Sequence, residues 1–427
     1  MEREKNQPLE GKRILVAASG SIAAVKTPLL VSSLIKAGAE VKCLITPSAS
    51  KLVSPLSLAT ISRNRCFQEG EQWCSKEPKP LHIYLAEWAD ILVIAPLSAT
   101  SLGKWSHGIG EGLLASVLLA FEKPIVAAAA MNTGMWLNKN VQANWEKVSK
   151  ISNIIGLSPS QGLLACDRIG DGRMINLEVI EAAIESALFY RDKGRLIKQD
   201  LNDQNFLITA GPTLEQIDLV RHVTNRSSGL MGVLLAQAAK MRGASINLVH
   251  GPLNVPIGLL EGLNQYPVKS SSEMEETISC LQERADLILM SAAVGDIHKQ
   301  GDKGSKIPKG SLVQEISKGW ELSPDLLANI NKRKKSGQIV MGFAAATGSN
   351  KEIKEIGEEK RRLKGCDLLF ASPVDQKGQG FESKFNGGFL LGPNEMVITF
   401  PKTSKICLAH LLIDALIDYK YKIFANS

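Results

Sequence analysis

Arg221 and Arg226 lie in the stretch FLITAGPTLEQIDLVRHVTNRSSGLMG, residues 206–232, between a short apolar run and an apolar-periodic segment that begins near Ser228. Phe206–Thr209, followed closely by Gly-Pro, reads as a buried strand, and the segment from Ser228 reads as a helix. Strand, polar loop and helix N-terminus together form an anion-binding arrangement. Backbone N–H groups and the helix dipole favour a phosphate there, and the two guanidinium groups add charge-assisted hydrogen bonds. The glycine spacing is neither GxGxxG nor GxxxxGK followed by Ser or Thr, so neither nucleotide fingerprint applies. An ordinary connecting loop is the bland alternative.

A second set of groups suited to an anion is made of hydroxyls. Ser19-Gly20-Ser21, Thr46–Ser50 (with Ser48) and Ser98–Thr100 each follow an apolar run: RILVAA, VKCLIT and DILVIA. In open α/β sheets ligands bind at the carboxyl ends of strands. Small hydroxyls and N–H groups without clustered Lys or Arg suit a phosphate held by dipoles, as in the flavin mononucleotide sites of flavodoxin-like folds.

The elements that must position these loops follow from the same runs. Arg13–Ala18 is a strand, Ile22–Ala37 a helix with Gly38 where a C-terminal cap belongs, and Val41–Thr46 the next strand. This is a right-handed parallel βαβ unit. The plan recurs with a strand over 206–210, a helix over 228–242, Gly243 and a strand over 245–250. Two separate α/β sheets are therefore expected, with further strands at Asp90–Ala95, Lys123–Ala128 and Ala285–Ala293. Leu177–Tyr190 reads as the last helix of a first domain, 1–190; the polar segment 191–205 reads as a linker, and 206–427 as a second domain.

Composition narrows the function. A chain of 427 residues, 44% apolar, with a mean hydropathy near zero, is expected to be soluble and globular with two or three domains. The net charge of +7 suits small anionic substrates, although a solvated basic surface needs no partner. With 5% aromatics and no basic-aromatic interleaving, no nucleic-acid partner is expected. The seven cysteines are scattered without any CxxC, so neither a disulfide framework nor a zinc site is indicated. MEREKNQPLEGKR carries no apolar h-region, and the longest apolar runs are too short for a bilayer, so the expected setting is the reduced cytoplasm.

The motifs carry a more specific resemblance. ITAGPT…VR…TNRSSG resembles the signature of phosphopantothenate–cysteine ligases, a domain commonly fused in bacteria behind a flavin-dependent phosphopantothenoylcysteine decarboxylase. The first half is similar to that decarboxylase in four motifs, in the family's order: GSIAAVK (20–26), LHIYLAEWAD (81–90), AAMNTGMW (129–136) and LACDRIGDGRM (164–174). Singly, a histidine before an apolar run reads as structural and a loop cysteine as inert; the joint pattern reverses that. The resemblance implies FMN held by Ser19, Gly20, Ser21, Thr46, Ser48, Ser98, Thr100 and Met131. It implies His82 as acid/base, Asn132 holding the substrate carboxylate and Cys166 donating the last proton. FMN would oxidise the CH₂–SH group to create an electron sink beta to the carboxylate, then return the hydride after CO₂ leaves.

In the second half AAVGD (292–296), KIPK (306–309) and GFAA (342–345) are similar to the ligase motifs. They imply CTP binding by Ala292, Asp296, Lys306, Phe343, Lys360 and Lys364, with Lys306 and Asn225 catalytic. Arg221 and Asn225 would serve the acyl-cytidylate and cysteine steps, and Mg²⁺ would accompany the nucleotide, although no metal-ligand spacing is visible. The family also implies a homo-oligomer of trimeric decarboxylase and dimeric ligase units. Ala129 and Asp167-Arg168 depart from the usual decarboxylase motifs without removing a catalytic group, whereas Pro308, where a lysine is usual, and Ala346, where a glutamate is usual, change the expected nucleotide or metal contacts. A flavodoxin-like regulatory binding protein without catalysis is the competing reading, opposed by the presence of His82, Asn132 and Cys166.

Overall fold

The computed structural model describes residues 7–73, 79–163, 169–300 and 304–425. The chain divides into two compact units, Met1–Lys198 and Gln199–Ser427.

In the first unit the elements run β1 (Arg13–Ala18), α1 (Thr27–Lys36), β2 (Glu40–Ile45), α2 (Pro55–Ser62), β3 (Cys66–Gln68), α3 (Leu81–Trp88) and β4 (Ile91–Leu97). They continue as α4 (Ala99–Ser106), α5 (Leu113–Ala120), β5 (Ile125–Ala129), α6 (Thr133–Trp136), α7 (Lys139–Ser149) and β6 (Ile154–Leu157). The six strands form one parallel sheet in the order β3-β2-β1-β4-β5-β6. Helices pack on it, so β4 is buried along its whole length and reads as a continuous apolar run rather than an alternating one. Strand order reverses between β1 and β4, and this switch point opens the crevice at their carboxyl ends. An antiparallel hairpin, β7 (Ser160–Leu163) and β8 (Ile169–Arg173), follows, and α8 (Leu177–Asp192) closes the unit.

The helix expected over 22–37 is divided. Ile22–Lys26 forms a 3₁₀ turn and α1 begins at Thr27, because Pro28 lacks an N–H and is tolerated only in a helix's first turn. Gly38 ends the helix at φ +94°, a left-handed conformation natural to glycine, with its N–H donating to Ile35 O at 3.0 Å.

The second unit runs β9 (Asn205–Ala210), β10 (Leu214–Gln216), β11 (His222–Thr224), α9 (Leu230–Met241), β12 (Ser245–His250), β13 (Asn264–Pro267), α10 (Ser271–Leu281) and β14 (Leu287–Met290). It continues with β15 (Ile297–Lys299), α11 (Leu312–Ile316), β16 (Trp320–Leu322), α12 (Leu326–Lys332), β17 (Ile339–Ala346) and α13 (Asn350–Lys364). The last elements are β18 (Leu368–Pro373), β19 (Phe385–Leu391), β20 (Val397–Ser404) and α14 (Lys405–Ala425). Eight strands form a sheet in the order β13-β12-β9-β14-β17-β18-β19-β20, parallel up to β18 and antiparallel beyond it. Small antiparallel hairpins, β10–β11 and β15–β16, stand apart from it. Each unit has its own apolar cluster, around Leu15, Leu92 and Ile94 in the first and Leu207, Ile288 and Val340 in the second.

The polar segment expected as a linker over 191–205 is partly structured. Leu201 in this stretch is fully buried, and its N–H donates to Arg242 O at 3.0 Å. Arg242, itself buried, pairs with Asp200 at 2.7 Å and with Asp414 of α14 at 2.6 Å. These contacts place residues from Gln199 onward in the second unit. Among the described residues no helix is long and apolar enough to cross a membrane.

Candidate active sites

In the first unit a cavity of about 560 Å³ opens at the carboxyl ends of β1, β4 and β5. Ala99, Ala130, Met131 and Met174 give it apolar walls, and Lys26, Asn132 and Arg173 add polar ones. A second cavity of about 350 Å³ shares Gly20, Ser98 and Thr100 with it and is lined also by Thr46, Ser48, Ser101 and Lys104, with the carboxylates of Glu69 and Glu111 at its wall, the latter paired with Lys104. An apolar slot beside a hydroxyl-lined hollow is the shape that a planar ring with a phosphate tail requires.

The local sequence explains this shape. Ser19 is fully buried; its hydroxyl donates to Pro96 O at 2.9 Å and accepts from Ser98 N at 2.7 Å, so it ties the ends of β1 and β4 together. Ser98 then caps α4, accepting from Ser101 N at 3.4 Å; Ser21 accepts from Ala23 N at 3.4 Å and Thr46 from Ala49 N at 3.3 Å. Gly20 approaches the Thr46–Ser50 loop so closely that a Cβ would lie 2.6 Å from Ser48 Cβ. Burial first, then the neighbouring Arg173, lowers the Lys26 pKa, with Glu178 opposing.

The residues expected to serve a decarboxylation are placed as follows. Met131 donates its N–H to Gly172 O at 3.0 Å, which joins the 129–136 loop to the β7–β8 hairpin. Asn132 lies at the cavity and its Oδ1 accepts from Gly134 N at 2.9 Å, capping α6 and orienting the amide. His82 sits in the first turn of α3 and lines neither cavity; its Nδ1 is buried and has no hydrogen-bond partner among the described residues. Helix α3 packs against α5, whose Leu114 and Leu118 line the second cavity. Cys166 falls outside the described residues. Lys26 and Arg173 lie inside the recognised motifs but carry no expected role; their charge beside Asn132 becomes visible only when the hairpin folds over the cavity.

The second unit gathers its candidates at the carboxyl edge of its parallel strands. Asn225 Nδ2 donates to Ala293 O at 3.1 Å and to Val294 O at 3.0 Å, joining TNRSSG to the segment after β14. Ala292 N donates to Thr209 Oγ1 at 3.0 Å, and Gly295 N to Thr213 Oγ1 at 2.8 Å. Asp296 and Lys306 are exposed. Phe343, in β17, stacks edge-on against Phe370 with ring centroids 5.8 Å apart. Lys360 and Lys364 are placed differently. They lie in the last turns of α13, and Lys364 precedes β18 by a few residues, so its backbone is at the amino edge of the sheet; its ammonium pairs with Asp325. Arg226 pairs with Glu382 at 3.2 Å on the surface.

Sequence reasoning missed Asp218. Its side chain is 1% exposed; Oδ2 accepts from Arg221 Nη1 at 3.0 Å and from Ile307 N at 3.1 Å, while Oδ1 accepts from Val220 N and Arg221 N, both at 2.8 Å. Burial works to raise its pKa, but the backbone N–H groups and the Arg221 guanidinium outweigh it and hold the carboxyl below its ordinary value. The one signal in the sequence is an aspartate three residues before an arginine. Among the described residues no group of three or more His, Cys, Asp or Glu side chains is placed to hold a metal ion.

Two protein families match this chain. The family described as Flavoprotein matches residues 2–189, and the DNA/pantothenate metabolism flavoprotein C-terminal domain matches residues 201–419. The coenzyme A biosynthesis bifunctional protein CoaBC of Vibrio vulnificus strain YJ016 is 34% identical over 387 residues, covering 91% of this chain and 93% of the relative. The protein of the same name from Bacillus subtilis strain 168 is 34% identical over 88% of this chain and 90% of its own, and that of Escherichia coli K12 is 33% identical over 96% and 97%. Among solved structures, a PPC decarboxylase mutant complexed with pantothenoylaminoethenethiol is 34% identical, with a TM-score of 0.38, over 41% of this chain and 97% of its own. The C-terminal domain of a CoaBC protein is 26% identical, with a TM-score of 0.42, over 53% and 100%.

Proposed function

The chain belongs to the CoaBC family of bifunctional coenzyme A biosynthesis enzymes, a phosphopantothenoylcysteine decarboxylase joined to a phosphopantothenate–cysteine ligase, and on that premise we propose the cofactor, the nucleotide and the residues that serve each reaction. The first unit uses FMN. The observation that carries this reading is the paired cavity: apolar walls at Met131 and Met174 suit the flavin ring, and the hydroxyl-lined hollow at Thr46, Ser48, Ser98 and Thr100 suits its phosphate. When bound, the flavin supplies the hydride acceptor and donor that make loss of CO₂ feasible. The chain's residues do the rest. Asn132 holds the substrate carboxylate beside the cations of Lys26 and Arg173, His82 moves a proton and Cys166 donates the final one. A His82 outside the linings of the two cavities described above, and exposed Ile22, Val25 and Met135 around the mouth of the first, support a flavin enclosed between copies in a trimer.

The second unit activates the carboxylate of 4′-phosphopantothenate with CTP and lets cysteine displace CMP. Ala292, Asp296, Lys306 and Phe343 receive the nucleotide, with Lys360 and Lys364 as more distant cations; Arg221 and Asn225 serve the acyl-cytidylate and its capture. Mg²⁺ would accompany the nucleotide and would offset its phosphate charge. Homodimeric ligase units, an assembly of twelve chains and a cytoplasmic setting belong to the same reading. The test is the purified full-length chain. A flavin absorption band, with CMP rather than AMP released on adding phosphopantothenate, cysteine and nucleotide, is the expected result. A chain that keeps flavin but releases neither CMP nor CO₂ is instead a flavodoxin-like binding protein.

A further inference from the structure

Arg221 and Lys306 belong to different chemical steps in this reading and lie 85 residues apart in sequence, as their numbers show. A single buried carboxylate oxygen joins their neighbourhoods. Asp218 Oδ2 accepts from Arg221 Nη1 at 3.0 Å and from Ile307 N, next to Lys306, at 3.1 Å; Arg221 Nη2 also reaches Ile307 O at 3.5 Å. The other oxygen is committed to the local turn through Val220 N and Arg221 N. Lys306 and its neighbours Ser305, Pro308 and Lys309 are exposed, and this bridge ties their segment to the β10–β11 loop. We propose that Asp218 is a positioning residue for both ligase half-reactions, a bridge that aims the Arg221 guanidinium and sets the 306–309 segment in one act. This rests on the roles assigned above to Arg221 and Lys306.

The chemistry of the bridge selects the test. Asparagine keeps one acceptor oxygen, enough for the local turn, but its NH₂ faces the Arg221 and Ile307 donors and cannot accept from either. Asp218→Asn should therefore lower both pyrophosphate release and capture of the acyl-cytidylate by cysteine, each on the order of 10- to 100-fold, as expected for misplacement rather than loss of a reacting group. Lys306→Gln should affect chiefly the first step and Arg221→Gln chiefly the second. Ile307→Pro removes the bridged N–H from an exposed loop while leaving Asp218 in place. It should raise KM for CTP and show little further loss when combined with Asp218→Asn. Circular dichroism and thermal melting establish folding of each full-length variant. If Asp218→Asn is not recovered folded, the Ile307→Pro and Arg221→Gln pair decides: the bridge requires their effects to be non-additive. Independent effects, or a folded Asp218→Asn with both steps at parent rates, would overturn the proposal. Failure of the parent chain to release pyrophosphate from CTP would instead overturn the reading on which it rests.

Discussion

At the scale of the residue, the ligase half separates charge from hydrogen bonding. Lys306 is an exposed cation, suited to the triphosphate and the departing pyrophosphate, so Lys306→Gln should reduce pyrophosphate release about 100-fold or more. Asn225 is held by two carbonyl oxygens, Ala293 O and Val294 O, through its amide nitrogen. Aspartate there cannot donate to them and adds a charge opposed to cysteine's own carboxylate. Asn225→Asp should still release pyrophosphate but accumulate acyl-cytidylate, observable by rapid quench. The decarboxylase half offers a steric counterpart at Gly20. The added methyl of Gly20→Ala meets Ser48 Cβ at 2.6 Å, so the two loops must separate. Overpacking of this kind costs about 1–3 kcal/mol, and flavin retention, followed by the visible band on dialysis, should weaken by roughly 5- to 150-fold.

At the scale of the element, α14 carries a buried histidine. His410 is fully buried, and burial, then the nearby Arg242 guanidinium, pushes its pKa down to about 3. Between that value and the ordinary 6.5 the unfolded chain binds a proton that the folded chain does not, so stability falls as pH drops below about 6.5. The slope from this one group approaches about 1.4 kcal/mol per pH unit. His410→Leu should flatten the dependence of the second unit's melting temperature on pH between 7 and 5; an unchanged slope would contradict the assignment. His410's state is set first by burial in the packed second unit and then by Arg242, which is distant in sequence, so the local pattern of α14 alone does not mark it as neutral. Elements built from local pattern were legible: β1, β9, α9 and β12 follow from apolar runs punctuated by glycine. Elements fixed by long-range pairing were not. β19 contains Gly387-Gly388, residues that disfavour a strand, yet it pairs with β18 in regular register and with β20 through a register shift between Asn386 and Gly388. The site divides the same way: motif residues were readable one by one, whereas Asp218 gains meaning only through its contact with Ile307.

At the scale of the whole molecule, each unit has its own sheet and its own core. Residues 1–198 and 199–427 should each fold when expressed alone, the first yellow and the second colourless. A boundary at 206 should give a less stable ligase fragment, because it removes Leu201 and the Asp200 partner of Arg242. The central claim is that one chain performs both reactions in sequence, and product analysis of the full-length chain tests it most directly. Supplied with 4′-phosphopantothenate, cysteine, CTP and Mg²⁺, it should release pyrophosphate and CMP in equal amounts and convert the ligated product, with loss of CO₂, to 4′-phosphopantetheine. Release of CMP without CO₂, or of CO₂ from added phosphopantothenoylcysteine without any CMP from CTP, would contradict the account.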